Sequence, residues 1–124
     1  CADVVLADCY GAPPPTARLS LDLTINDDNR YVPVEIFEGD YDDPGRYVFI
    51  RDTVPFNEVG PGNEVFYDLP IQRWNVAVTY MHEGKRIVAL DSRRLDFRRE
   101  TDCAGFECYT PVDRHLNMRL KIRD

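Results

Sequence analysis

The sequence predicts an all-β fold: an antiparallel sandwich of about seven or eight strands with Greek-key connections. Three observations carry this. Apolar residues recur with a period of two in stretch after stretch, the spacing of strands with one dry and one wet face. Gly, Pro, Asn and Asp punctuate those stretches at short intervals. The gaps are too short for crossover helices, and no stretch has a convincing helical period.

Residues 1–16 read as a tether. Gly11-Ala12-Pro13-Pro14-Pro15-Thr16 has no strand or helix period, and its prolines favour extended polyproline backbone. Residues 17–124 form the β-domain. Leu19, Leu21, Leu23 and Ile25 alternate with Arg18, Ser20, Asp22 and Thr24 as a first strand. Asn26-Asp27-Asp28-Asn29 follows as a turn, because Asn and Asp bond nearby backbone and tolerate left-handed conformations. Val32, Val34 and Ile36 alternate next, and Pro33 points to an edge or a bulge. A polar turn runs from Glu38 to Gly45. Arg46 to Val54, rich in β-formers, reads as a more buried strand. Gly60-Pro61-Gly62 breaks the chain, and Val65 to Leu69 is a short strand ended by Pro70.

Trp74, Val76, Val78 and Tyr80 give the cleanest central strand. His82-Glu83-Gly84-Lys85 is a hairpin turn, with Gly84 where positive φ is tolerated. Ile87 to Leu90 returns, and Leu95 with Phe97 extends or follows it. Residues 98–114 read as a polar excursion that bears two cysteines. Leu116, Met118, Leu120 and Ile122 alternate in a final strand. Leu19, Leu21, Leu23, Trp74, Val76, Val78, Met118 and Leu120 are the expected core.

A chain of 124 residues is one domain by length and buries a real core without leaning on its cysteines. No apolar run approaches the roughly 20 residues that a spanning helix needs. The net charge of −7 argues against a nucleic-acid partner, which needs a basic face. Residues 1–72 hold 4 Lys+Arg against 14 Asp+Glu, whereas residues 73–124 hold 11 against 8. Acidic early strands facing basic late strands across a sheet account for this split. Two oppositely charged faces that dock a partner are the alternative.

Cys1, Cys9, Cys103 and Cys108 bracket a long stretch without cysteine, which fits an oxidising, extracytoplasmic compartment. A mature chain beginning with cysteine is what a bacterial lipoprotein signal leaves after cleavage. Cys1 is therefore the expected lipid attachment, and that lipid the expected link to a membrane of the cell envelope. All four cysteines are disulfide candidates, and four allow three pairings. With Cys1 unmodified, the first choice is Cys1–Cys9 with Cys103–Cys108. With Cys1 lipidated, Cys9 is odd and pairs with Cys103 or Cys108 or stays free. Cys103, Cys108 and His115 also supply three zinc ligands, but a fourth would have to be Cys9 or a carboxylate, so a disulfide is preferred.

Two stretches carry a resemblance. Tyr67-Asp68-Leu69-Pro70 followed by Trp74-Asn75-Val76-Ala77-Val78-Thr79-Tyr80 resembles the late strands of prealbumin-like or immunoglobulin-like bacterial sandwiches. Cys103-Ala104-Gly105-Phe106-Glu107-Cys108-Tyr109, with the terminal Leu116-Asn117-Met118-Arg119-Leu120-Lys121, is similar to small lipoproteins of Bacteroidetes-type bacteria. With Val34 to Gly39 and Lys85 to Asp91, the resemblance covers most of residues 17–122. Trp74 stands where that group more often has Tyr. The resemblance implies a sandwich fold and an envelope address, and it brings no catalytic residues.

Catalysis finds little support. Ser20, Ser92, His82 and His115 are the only serines and histidines, and their spacing argues for no Ser-His-Asp order. Asp40, Asp42 and Asp43 are calcium candidates, since calcium takes about six to eight oxygen ligands, but the loop lacks the central Gly and downstream Glu of an EF-hand. Solvated turn residues explain the cluster without an ion, and no other cofactor is expected. Tyr31, Phe37, Tyr41 and Tyr47 flank this acidic loop as a candidate binding rim, able to stack sugar rings or anchor a protein. The expected function is thus a non-enzymatic extracytoplasmic domain that binds a protein or glycan partner or acts as a spacer. The alternatives are a small-ligand carrier and, behind it, a hydrolase. Intact mass spectrometry of protein from its native membrane fraction is expected to show acyl-glycerol mass on Cys1. An unlipidated chain that gains the hydrogens of two bridges on reduction makes Cys1 structural instead.

Overall fold

Period-two patterning sends one side of each long strand inward, and the strands sort into two sheets around the side chains that result. The computed structural model describes residues 13–57, 59, 61–101 and 107–121. Nine strands form among them: β1 (Thr16–Asp22), β2 (Tyr31–Glu38), β3 (Tyr47–Pro55), β4 (Glu64–Pro70), β5 (Arg73–His82), β6 (Lys85–Arg94), β7 (Asp96–Thr101), β8 (Glu107–Val112) and β9 (Arg114–Asn117). The strand order is β4-β1-β9 in one sheet and β3-β2-β5-β6 in the other, while β7 and β8 pair as a separate hairpin. The fold is an all-β sandwich. Its core draws Leu19 and Leu21 from β1, Val34 and Ile36 from β2, Leu69 from β4, and Trp74, Val76, Val78 and Tyr80 from β5. Of the expected core residues, Leu120 alone is only partly buried.

Local chemistry sets the turns. Glu83 and Gly84 both take positive φ, 53° and 77°, which matches the right-handed twist of β5 and β6 and lets a two-residue turn join them. Asn26 and Asn29 close the turn after β1, where the Asn29 backbone N–H donates to the Asn26 side-chain oxygen at 2.9 Å. Asn29 is itself buried, and its amide spans the Met81 backbone: Nδ2 donates to the Met81 carbonyl at 3.0 Å and Oδ1 accepts from the Met81 N–H at 2.7 Å. The expected Asn26–Asn29 turn thus forms, and one of its asparagines is also a structural pin for β5.

Five expectations need correction. The sandwich is not purely antiparallel, because β9 runs parallel to β1, with Ser20 opposite His115 and Leu21 opposite Leu116. β3 is not a buried strand. It lies at a sheet edge and exposes Tyr47, Phe49, Arg51, Asp52 and Thr53. A bulge there leaves Phe49 without a register partner, since Ile36 faces Ile50 and Phe37 faces Val48. Pro33 lies in an internal strand rather than at an edge, tolerated because the ladder to β5 begins only at Val34. The described part of residues 98–114 is largely regular strand rather than loop, since most of β7, all of β8 and the first residue of β9 fall there. Thr16, assigned to the tether, opens β1. Cys108 is buried; Cys1, Cys9 and Cys103, with most of the tether, lie outside the described residues.

Polar groups then lock one sheet to the other. The buried Tyr80 hydroxyl on β5 donates to the Met118 carbonyl at 2.7 Å and accepts from the Thr24 N–H at 3.0 Å. Burial raises its pKa above the ordinary tyrosine value. Tyr67 on β4 donates to an Asp52 carboxylate oxygen on β3 at 3.0 Å, and burial first, then Asp52, push that phenol well above its ordinary value. Trp74 Nε1 donates to the Pro70 carbonyl at 2.9 Å, which fixes the bend between β4 and β5.

Replacing Tyr80 by Phe keeps the ring and strands two backbone groups. Tyr80→Phe is expected to lose about 2 kcal/mol of unfolding free energy in a urea melt, the usual cost of buried polar groups left unpaired. An unchanged midpoint would show that the hydroxyl is dispensable.

Candidate functional site

The outward face of the four-stranded sheet carries a loop folded down upon it. Glu35 sits on this face, opposite Arg51 on β3 and Ala77 on β5. Between β2 and β3 the chain turns at Gly39, whose φ is +94°. Asp43 then organises the turn. Its Oδ1 accepts from the Gly45 N–H at 2.8 Å, and its carbonyl accepts from the Arg46 N–H at 3.1 Å. Arg46 swings back over the sheet, and its Nε donates to Glu35 Oε1 at 2.6 Å, with both side chains largely buried. That bond raises the Arg46 pKa above its ordinary value. The guanidinium lies 5.6 Å from the Phe37 ring centre and 5.0 Å from that of Tyr41, within cation–π range.

Tyr41 is consequently held over the sheet. Its ring centre is 6.0 Å from that of Phe37, and its hydroxyl accepts from Arg86 on β6 at 3.0 Å. Asn75 on β5 donates to the Gly39 carbonyl at 2.7 Å and ties down the start of the loop. Tyr41 divides the face into two clefts and lines both. One, about 270 Å³, is lined by Gly39, Asp40, Asn75, Leu90, Asp91 and Ser92 beside Tyr41 and Phe37. The other, about 330 Å³, is lined by Glu35, Arg46, Arg51, Thr79 and Arg86 beside Tyr41. Clefts this small sit at the low end of the range for small-ligand sites, about 300–1,000 Å³, and suit one ring or one side chain each.

The four aromatics expected as one rim do not form one. Phe37 and Tyr41 meet, but Phe37 is 1 % exposed and forms the floor rather than a stacking surface. Tyr47 pairs with Phe49, whose ring centre is 5.0 Å from that of Trp74. Tyr31 stands at the other end of β2, six positions from Phe37 and so about 20 Å away along the strand. Asp40, Asp42 and Asp43 do not make a three-carboxylate group among the described residues; Asp43 spends Oδ1 on its own turn and Asp40 faces the first cleft.

A second cluster lies on the outward face of the other sheet. His115 on β9 bonds to Ser20 Oγ through Nδ1 at 2.6 Å and to Asp22 Oδ2 through Nε2 at 2.9 Å. Glu64 on β4 is 3.6 Å from Nδ1, and Arg119 is 3.9 Å from Asp22. Ligand atoms of Asp22, Glu64 and His115 fall within 4.8 Å of one another, one imidazole with two carboxylates. That donor set suits a zinc-type ion better than calcium. Ser20, His115 and Asp22 also form a relay able to pass a proton. Acyl transfer would further require oxyanion donors and an accessible hydroxyl, and Ser20 is 9 % exposed. As it stands the cluster staples β9 and β4 to β1. Sequence reading missed it. The only signal was Ser20 and Asp22 two apart on one strand face, with His115 just before the last apolar alternation.

Comparison with known proteins finds no matching family model, curated protein or solved structure.

The loop's rigidity rests on Arg46. Replacing Arg46 with Met keeps the aliphatic stem over the rings and removes the bond to Glu35. Amide hydrogen exchange at Gly45 and Arg46 is expected to quicken by about an order of magnitude while β5 amides stay protected. Unchanged exchange in the loop would mean that the turn hydrogen bonds hold it alone.

Proposed function

We propose that this protein is a non-enzymatic extracytoplasmic binding domain that holds a glycan across Tyr41. A lipid on Cys1 would keep the domain on the cell envelope, with the residues before β1 as the spacer. The observation that carries the reading is the fixed position of Tyr41 between two open clefts. Sugars are recognised by an aromatic face together with hydrogen-bonding groups on fixed scaffolds. Both partners are present: Tyr41 supplies the ring, and Asp40, Asn75, Ser92, Thr79 and the arginines line the clefts. A ring pinned by Arg46 and Arg86 loses little freedom on binding, which favours affinity without a deep pocket.

The clefts also weigh against a carrier. Each is open, shares charged walls, and is too small to bury a ligand of drug size. A carrier needs an enclosed, mostly apolar cavity.

The test is retention on an array of neutral and charged oligosaccharides. Wild-type protein is expected to be retained, and Tyr41→Ala is expected to bind at least about tenfold more weakly, a loss of about 1.4 kcal/mol. Thermal melts of both proteins control for folding. Equal retention of the two proteins would sink the reading.

A further inference from the structure

The two clefts beside Tyr41 carry opposite charge. Arg46, Arg51 and Arg86 line the larger one, and Glu35 is the carboxylate among them. Asp40 and Asp91 line the smaller one with Asn75 and Ser92, and no cation is among the described residues that line it. In a chain of net charge −7, three arginines gathered on one sheet face are a local exception.

The three guanidinium groups are not equivalent. Arg46 is committed inward, to Glu35 at 2.6 Å and to the Asp43 carbonyl at 3.1 Å. Glu35 is in turn used on both oxygens, since Oε2 accepts from Arg51 at 3.5 Å. Among the described residues Arg51 makes that one long contact, and its side chain is 72 % exposed. Arg86 gives one N–H to the Tyr41 hydroxyl. A guanidinium carries five N–H donors in a planar fork, so Arg51 and Arg86 keep most of theirs for a ligand.

We propose that the glycan bound across Tyr41 carries a carboxylate, gripped by Arg51 and Arg86 in the larger cleft. This inference rests on the glycan reading above and names the class of sugar. A carboxylate matches the guanidinium fork with two parallel hydrogen bonds, which a neutral hydroxyl does not. Glu35 does not compete, because Arg46 neutralises it beneath the ring. The smaller cleft fixes direction. Asp40 and Asp91 accept hydrogen bonds from sugar hydroxyls and repel an anion, so the charged unit lies on the arginine side and a neutral unit on the other. The overall negative charge gives no long-range attraction for such a ligand, so contact at the arginines supplies the affinity and salt weakens it.

The experiment compares matched oligosaccharides: uronate-containing and sialylated members, and each after chemical reduction of its carboxyl to a hydroxymethyl group. Affinities are measured by calorimetry at 50 mM and 300 mM NaCl on wild type, Arg51→Gln, Arg86→Gln and Tyr41→Ala. At least one acidic member is expected to bind about tenfold or more tighter than its reduced counterpart, and the higher salt is expected to narrow the gap. Arg51→Gln and Arg86→Gln are each expected to weaken the acidic sugar more than its reduced counterpart, so that the gap closes, and Arg86→Gln also weakens the reduced sugar because Arg86 holds Tyr41. Arg51 touches neither Tyr41 nor its loop, so its variant isolates the charge from the shape of the site. Which acidic member wins separates uronates from sialic acids. If acidic and reduced sugars bind alike, and Tyr41→Ala weakens both, the carboxylate inference fails and the glycan reading stands. If no sugar binds wild type, and a hexaglutamate peptide is captured through Arg51 and Arg86, both readings fall and the face belongs to a protein partner.

Discussion

A buried phenol holds the sandwich closed. Two sheets packed through apolar side chains alone can slide, because dispersion and burial have no direction. Hydrogen bonds have direction. The Tyr80 hydroxyl reaches from the middle of the four-stranded sheet to the Thr24 N–H and the Met118 carbonyl, one on the chain just after β1 and one just after β9. The backbone continues that pairing beyond the named strands. The Met118 N–H donates to the Asp22 carbonyl at 3.0 Å, and the Leu120 N–H donates to Thr24 Oγ1 at 2.8 Å. One tyrosine thus fixes where the first and last strands lie relative to β5. β5 also lines both clefts, so the position of Tyr80 sets the platform on which Tyr41 rests.

Much of this was legible in the sequence. Leu19-Leu21-Leu23 and Trp74-Val76-Val78-Tyr80 alternate so cleanly that register, face and burial all follow from period two. Gly84 announced its turn because a two-residue hairpin demands positive φ. What escaped was whatever depends on a neighbour distant in sequence. β3 is apolar enough to read as buried, yet its edge position leaves Tyr47 and Phe49 exposed. The β7–β8 hairpin is polar because it stands outside both main sheets, so burial wrote little pattern into it. Parallel pairing of β1 with β9 joins positions some 95 residues apart, and nothing local encodes it.

The candidate site follows the same division. The acidic loop and its aromatics were visible, because Asp, Gly and Pro mark turns and Tyr and Phe mark contact surface. Their arrangement was not, because it turns on Arg46. A sequence reading sees an arginine that opens a strand. The structure finds it folded back on Glu35, wedged against Phe37 and Tyr41. That one pairing sends Phe37 under the loop and Tyr41 over it. It also explains why Tyr31 and Tyr47, which also flank the loop in sequence, take no part: the Arg46 guanidinium stacks on Phe37 and Tyr41 instead. The His115 cluster is the other case. Its residues are ordinary on their own strands and acquire proximity only through the β4-β1-β9 order.

The charge asymmetry of the chain takes on a meaning that neither sequence-based account gave it. Pairing across a sheet explains part of it, as Arg119 and His115 meet Asp22 from the basic half. The face around Tyr41 does not divide by half. Arg46 and Arg51 come from the acidic half and hold Glu35 from that same half, while Arg86 arrives from the basic half on β6. The net excess of positive charge in the larger cleft is local, made by strand order, and it survives in a protein whose overall charge has the opposite sign. Such an arrangement does not draw anions from a distance. Under the glycan-binding proposal it would discriminate among molecules that have already arrived, as a domain held at a surface by a lipid on Cys1 would require.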